Sequence, residues 1–421
     1  MKSAVTPEST PAIPVYALMT GAYWGFTVTD GALRMLVLLH FYTLGYTPLQ
    51  IASLFLFYEF FGVVTNLVGG WVANHMGLKT TLSTGLLSQI IALSMLAMLS
   101  PLWSTGLSVA YVMASQALSG IAKDLVKMSS KSSVKLLVKE GQHGALFKWV
   151  AILTGSKNAL KGAGFFVGGL LLGWIGFRPA LVAMAAALLI VWIMVQARVT
   201  GSLGKAKTRV RLSHLFAKSK AINTLSAARF FLFGSRDIWF VVGLPIYLSA
   251  QLNWSYTNIG AFLAAWVIGY GFVQILAPKL IPEQHRHKAT NASRASFALA
   301  VCLAAMLFSV WNQWSPLLTI IAGLTAYGFV FAINSSIHSY LVLAYGRREQ
   351  ISMDVGFYYM ANAAGRLTGT LLSGWLYQAG GLTMCLSGSL VFAVLSWLLA
   401  ARLPEFITGG NAPELSSRST P

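Results

Sequence analysis

Charge is scarce in this chain. Of its 421 residues, 10% are Asp, Glu, Lys or Arg and 56% are hydrophobic. That balance excludes an ordinary soluble globular protein, in which about a quarter of residues are charged. Acids are rarest, 11 against 30 Lys and Arg. The formal charge of +19 would suit nucleic acid if it lay on one face. Instead the bases gather in a few short connections between apolar runs, which is the pattern of cytoplasmic loops, and no nucleic-acid partner is expected. There are two cysteines, Cys302 and Cys385, in different apolar runs, so neither a disulfide framework nor a thiolate metal site is available. No G-x-x-x-x-G-K-[ST] loop, nucleophile elbow, zinc spacing or dinucleotide fingerprint occurs. The chain is therefore read as having no cofactor, no metal and no catalytic residues, and not as an enzyme. Its opening, MKSAVTPESTPAIP, lacks a basic stretch running into a short apolar core and reads as a tail rather than a signal peptide.

What is present is a succession of long apolar runs. They fall at 15–42, 49–73, 81–100, 105–125, 145–176, 179–197, 222–250, 256–278, 294–312, 316–345, 351–378 and 382–402. A bilayer crossing needs about twenty such residues, so the expected fold is an all-α integral membrane protein of about twelve transmembrane helices. The connections after the first, third, seventh, ninth and eleventh runs carry no Lys, Arg, Asp or Glu. Those after the second, fourth, sixth, eighth and tenth hold nearly all the loop charge, from His75 and Lys79 to Arg347 and Arg348. This alternation places both termini in the cytoplasm. The longest basic connection, RVTGSLGKAKTRVRLSHLFAKSK, lies at the midpoint. The expected organisation is a cytoplasmic tail over 1–14, a six-helix half over 15–197, a basic linker over 198–221, a second six-helix half over 222–402 and a cytoplasmic tail over 403–421.

The halves echo one another. Asp30 and Asp237 precede a turn at nearly the same spacing, and Gly168, Gly173 and Trp174 parallel Gly369, Gly374 and Trp375. Parallel repeats of this kind put a transport site at the midplane between them. Small residues four apart, Gly164/Gly168, Gly169/Gly173 and Gly365/Gly369, allow close helix approach.

Polar residues sort by helix. Runs three, six, nine and twelve hold no charge in their apolar lengths, inside the terminal Arg294 and Arg402. The first holds Asp30 and Arg34, four apart on one face and so able to pair. The second holds Glu59 and Asn66, and the fourth Gln116, with Lys123 and Asp124 toward its cytoplasmic end. The fifth holds Lys157, Asn158 and Lys161; the seventh Arg229, Arg236 and Asp237; the tenth Asn334 and His338; the eleventh Asn362 and Arg366. Every third helix is thus expected to face lipid while the others enclose a polar cavity.

The sign of the buried charge points to the ligand. Arg34, Lys157, Lys161, Arg229, Arg236 and Arg366 are the candidate substrate-binding cations, with Lys123 nearer the rim. Asp30, Glu59 and Asp237 are the buried acids, read as charge-pairing or coupling groups, and Asn158, Asn334, His338 and Asn362 as secondary polar residues. If each acid neutralises one base, about three cations are left over, which calls for a multiply anionic ligand. Arginine forks match phosphate or arsenate oxygens, so Arg34, Arg236 and Arg366 lead; Lys157 and Lys161 can also snorkel to an interface. The series Lys123, Lys127, Lys131, Lys135, Lys139 reads as a basic stripe on a membrane-surface helix.

The segment GGWVANHMGLKTTL around Gly70 resembles the cytoplasmic helix 2–3 signature of the major facilitator superfamily, with Asn74 where an acid is usual. Longer stretches, TVTDGALRMLVLLHF, FLFYEFFGVVTNLVGGW, QALSGIAKDLVKMSSKSSVKLLV, LTGSKNALKGAGFF and LSAARFFLFGSRDIWFVVGLPIYL, resemble the ArsJ-type organoarsenical efflux permeases of bacteria. The resemblance implies a major facilitator fold in the bacterial inner membrane. It also implies export of 1-arseno-3-phosphoglycerate, formed when glyceraldehyde-3-phosphate dehydrogenase takes arsenate in place of phosphate, and hence arsenate resistance. Two separated cysteines do not suit trivalent arsenic, whereas Arg and Lys suit a pentavalent oxyanion. The site residues rest on electrostatics, not on the resemblance. An organophosphate, carboxylate or broader oxyanion transporter of the same fold is the nearest alternative, and a receptor without transport a more distant one.

Overall fold

The computed structural model describes residues 13–134, 143–199, 219–280, 289–345 and 351–404. Most of the basic linker, most of both tails, Lys135, Lys139 and the connections holding Arg347 and Arg348 lie outside the described residues, as do the side chains of Gly70, Asn74, His75 and Lys131. The described chain is helical and contains no strand. In order the helices are α1 (Ile13–Thr43), α2 (Pro48–Leu54), α3 (Leu56–Met76), α4 (Leu78–Ala97), α5 (Thr105–Val134), α6 (His143–Trp174) and α7 (Phe177–Arg198). There follow α8 (Lys220–Phe240), α9 (Gly243–Ala250), α10 (Tyr256–Leu280), α11 (Ala289–Trp311), α12 (Pro316–Tyr345) and α13 (Ile351–Ala400). Eight described segments are long and apolar enough to cross a membrane. The remaining long helices, α1, α5 and α6, have 31, 30 and 32 residues and carry the charges Asp30, Arg34, Lys123, Asp124, Lys157 and Lys161.

Local chemistry sets the breaks. Thr47 caps α2 through a reciprocal capping box with Gln50, and Pro48 stands in its first turn, where its missing N–H costs nothing. Gly77, at φ 79°, separates α3 from α4, and Gly381, at φ 65°, turns the chain inside α13; both conformations favour glycine. The sequence places one run over 49–73, and the structure divides it at Phe55 into α2 and α3. The run over 222–250 is likewise broken at Val241–Val242 into α8 and α9.

The outer surface is apolar. Large hydrophobic side chains stand exposed on α4 (Leu87, Ile91), α7 (Leu189, Ile190, Ile193, Met194), α11 (Phe297, Val301, Phe308) and the last stretch of α13 (Met384, Val391, Leu398). These belong to the third, sixth, ninth and twelfth apolar runs, as their lack of charge anticipates.

The glycine echoes are real packing equivalents. A methyl group on Gly164 or Gly168 would collide with the Val28 or Ala32 carbonyl of α1. One on Gly365 or Gly369 would collide with the Phe230 or Gly234 carbonyl of α8. Further on, Gly374 lies against Pro48, Leu49 and Ala52 of α2, while a methyl group on its echo Gly173 would meet only the Thr257 side chain of α10, and the close contact with Tyr256 and Gly260 of α10 falls to Gly169 instead. The first pair of contacts joins helices within each half of the chain, and the second joins helices across the halves. Such backbone proximity is open to glycine alone.

Candidate functional site

The helices enclose a cavity of about 260 Å³. Its lining comes from α1, α3, α5, α6, α8, α10, α12 and α13 and from Val241, and none of it from α4, α7 or α11. All six candidate cations reach it: Arg34, Lys157, Lys161, Arg229, Arg236 and Arg366. So do Asp30, Glu59, Asp237, Asn158 and Asn362. A second, wider depression of about 850 Å³ lies on the outer surface, lined by Leu170, Gly173, Trp174, Ser249 and residues 253–257. It is open and has no charged lining, so it offers an ion nothing.

At the cavity's centre three arginines share two carboxylates. Arg34 reaches Glu59 at 2.5 Å, and Arg366 reaches the same Oε1 at 2.7 Å. Arg366 also donates from Nε to Asp237 Oδ2 at 3.2 Å, while Arg236 binds Asp237 Oδ1 at 2.5 Å. Glu59 is on α3 and Asp237 on α8, so Arg366 of α13 ties an acid of the first half of the chain to one of the second. The arginines also rest on aromatic faces: Arg34 over Phe55 and Tyr58, each at 5.2 Å, and Arg236 over Phe233 at 4.8 Å. Burial makes each of these contacts stronger than in water.

Several expectations are corrected here. Asp30 and Arg34 do not pair. Asp30 accepts the Tyr58 hydroxyl at 2.6 Å, and Arg34 turns to Glu59, because a carboxylate on the neighbouring helix offers it better geometry than one on its own. Arg34, Arg236 and Arg366, the leading substrate-binding candidates in sequence, are ion-paired to Glu59 and Asp237, two of the acids read there as charge-pairing groups. The buried acids are not limited to three, since Asp124 and Asp354 are buried as well. Asp124 accepts from Thr65 and from Lys127, which also donates to Asn66 at 3.0 Å. Lys123 lies over the Tyr58 ring at 4.0 Å. Lys123 and Lys127 thus turn into the cavity instead of forming a membrane-surface stripe: a fully buried Asp124 would be costly without them. Asn334 and His338 are fully buried but do not line the cavity; Asn334 donates to Ser296 at 2.9 Å, between α12 and α11.

Residues that the sequence does not single out complete the site. Asn158 of α6 donates to Gln274 of α10 at 2.8 Å, and Gln274 donates to Ser335 of α12 at 3.2 Å. Aromatic walls come from Phe26, Phe165, Phe240, Trp266 and Tyr270. Gln274 and Ser335 are uncharged residues in otherwise apolar runs, and helical spacing alone could have marked them only weakly. The described lining carries eight Lys or Arg side chains and four carboxylates, Asp30, Glu59, Asp124 and Asp237, a formal excess of four positive charges. Among the described residues no cluster of metal-ligating side chains occurs. The arrangement is suited to holding a small anion, not to making or breaking a bond.

Comparison with known proteins places the fold. The Major Facilitator Superfamily profile matches residues 15–349. No curated protein matches the chain. Among solved structures, the human organic anion transporter MFSD10 (TETRAN) superposes with a TM-score of 0.65 at 16% identity, over 92% of this chain and 99% of that one. A bacterial homologue of the iron transporter ferroportin, in an inward-facing state, gives a TM-score of 0.66 at 13% identity, over 93% and 100%. At such identities the likeness is one of fold.

Proposed function

The chain belongs to the Major Facilitator Superfamily, a family of multi-pass secondary transporters rather than enzymes, and from that premise we propose that it exports an anionic organoarsenical, 1-arseno-3-phosphoglycerate, from the bacterial cytoplasm. In this reading about twelve helices cross the inner membrane in two six-helix halves, 15–197 and 222–402, with the 198–221 linker and both tails cytoplasmic. The observation that carries the reading is the cavity's excess of four positive charges in about 260 Å³. Drug-sized ligands occupy roughly 300–1,000 Å³, so the space favours a compact, multiply charged metabolite. Arsenate and phosphate groups both present hard oxygens to Arg and Lys, and arsenate resistance follows if the ester leaves the cell before it hydrolyses. The functional partner is then glyceraldehyde-3-phosphate dehydrogenase, which supplies the ester.

Transport proceeds by rocking of the halves about this site. Arg34, Lys157 and Lys161 face the anion from the first half and Arg229, Arg236 and Arg366 from the second. Arg366 bridges Glu59 and Asp237, so an anion that draws it away loosens one tie between the halves. Asp30, which takes a phenol and, among the described residues, has no cation within ion-pair reach, is better placed than Glu59 to carry a coupling proton. The charge excess suits an organophosphate equally well, which keeps a broader organic-anion transporter as the second reading.

Everted membrane vesicles test this. Supplied with arsenate, glyceraldehyde 3-phosphate, NAD and the dehydrogenase, they should accumulate arsenic, and lose that uptake when any one component is withheld. Equal uptake of arsenate alone would overturn the arseno-ester reading in favour of a general oxyanion permease. Uptake of 3-phosphoglycerate at the same rate would favour the broader organophosphate transporter.

A further inference from the structure

The candidate substrate-binding cations of the cavity are not equivalent, and what neutralises them separates them. Arg34, Arg236 and Arg366 are held by Glu59 and Asp237. Arg229 is buried at 4% exposure, yet no carboxylate lies within ion-pair distance of it among the described residues. Its Nε donates to the amide oxygen of Asn362 at 2.9 Å, and its Nη1 to the backbone oxygen and hydroxyl of Ser335, both at 3.1 Å. Its plane rests on Phe233 at 4.0 Å and on Tyr358 at 5.0 Å. A guanidinium has five N–H donors and no acceptor, so these neighbours satisfy its geometry without cancelling its charge. Its other terminal nitrogen, Nη2, has no hydrogen-bond partner among the described residues. Among the described residues, the Lys161 side chain, on α6, has neither an ion pair nor a hydrogen bond, and it lies over the Phe165 ring at 5.9 Å. A buried cation dressed only by neutral acceptors is costly to keep unless an anion completes it.

We infer that Arg229 is the anchoring cation for the phosphate or arsenate group of the substrate, with Lys161 as its partner from the other half of the chain, and that Asn362 and Ser335 are positioning residues that orient Arg229 without neutralising it. This deepens the anion-transport reading and rests on it. It also reverses the order expected from sequence, in which Arg34, Arg236 and Arg366 lead. Ser335 is further tied through Gln274 to Asn158 on α6, so the orientation of Arg229 is linked to the opposite half.

Full-length protein in lipid nanodiscs, titrated with 3-phosphoglycerate and followed by quenching of the intrinsic tryptophan fluorescence to which Trp266 in the cavity wall contributes, gives the test. Asn362→Asp keeps the size and the accepting oxygen but supplies a carboxylate. It should weaken binding at least about tenfold, although a purely structural role for Asn362 would be served as well or better by Asp. Asn362→Gln should bind more tightly than Asn362→Asp, and Arg229→Gln and Lys161→Gln should each lose binding more than Arg34→Gln. Wild-type affinity in Asn362→Asp, or a larger loss in Arg34→Gln than in Arg229→Gln, overturns the assignment while leaving anion transport intact. Absence of 3-phosphoglycerate binding by the wild-type protein, shown folded by a cooperative melt, overturns the anchoring of a phosphate group by Arg229 and Lys161, while the reading beneath it stands or falls on arsenic uptake by the vesicles.

Discussion

Glu59 is the residue on which most of the buried charge turns. It is 1% exposed and accepts from Arg34 and Arg366 through the same oxygen. Removing one member of a buried ion pair leaves the others uncompensated and costs about 3–5 kcal/mol. Glu59→Gln should therefore lower the melting temperature measured in detergent by several degrees and abolish arsenic uptake in vesicles. The conservative Glu59→Asp should recover part of the stability. The two cysteines make the opposite case. Cys385 is buried beside Ser373 and Gly243, and Cys302 sits half-buried on α11; neither lines the cavity. Export of a pentavalent arsenic ester needs no thiolate, so a Cys302→Ser/Cys385→Ala protein should retain vesicle uptake of the ester. Loss of uptake with an unchanged melting temperature would point to thiol chemistry instead.

Between elements, glycine contacts of two kinds make separable predictions. Gly365 sits against the Phe230 carbonyl within the second half, whereas Gly374 sits against Pro48 and Ala52 across the halves. Overpacking a tight contact costs about 1–3 kcal/mol. Gly365→Ala should show that cost as a lower melting temperature and reduced yield. Gly374→Val acts on the contact between α13 and α2, next to the turn at residues 44–47. In a cysteine-free background, Ala52→Cys should be closed to an impermeant maleimide added outside the cell. It should become reactive when Gly374→Val is added. Equal labelling in both proteins would show that this contact does not seal the outer end.

For the molecule as a whole, the arrangement of charge makes a topological prediction. The described connections at 44–47, 251–255 and 312–315 carry no Lys, Arg, Asp or Glu, whereas the basic residues cluster at the opposite ends of the helices. Under the positive-inside rule, alkaline phosphatase fused after Asn253 should be active and the same enzyme fused after Pro421 inactive, with a fluorescent protein at Pro421 bright. Active phosphatase at both Asn253 and Pro421 would mean an even number of crossings between them, in place of the five expected, and would invalidate the pairing of halves. Internal symmetry at this scale explains why α1–α6 and α8–α13 use glycines at equivalent places: each half solves the same packing problem with the same residue.

Much of this was written locally. Apolar length determines that the chain is helical and membrane-spanning, because unsatisfied backbone polar groups are too costly in hydrocarbon for anything but helices or closed barrels. The distribution of charge among runs determines which helices line the cavity and which face outward, since a charge must turn away from lipid wherever the helix ends up. Partner choice could not be read this way. Asp30 and Arg34 share a helix face, and Arg236 and Asp237 are adjacent and would ordinarily diverge. Yet the first pair separates and the second meets, because Glu59, Tyr58 and Arg366 arrive from other helices to complete them. Whether a buried cation is neutralised is a property of that assembly. Only the tertiary structure decided that Arg229 is held by an amide and a hydroxyl while three other arginines are held by acids, because Coulomb energy in a low-dielectric cavity depends on distances that helical spacing does not contain.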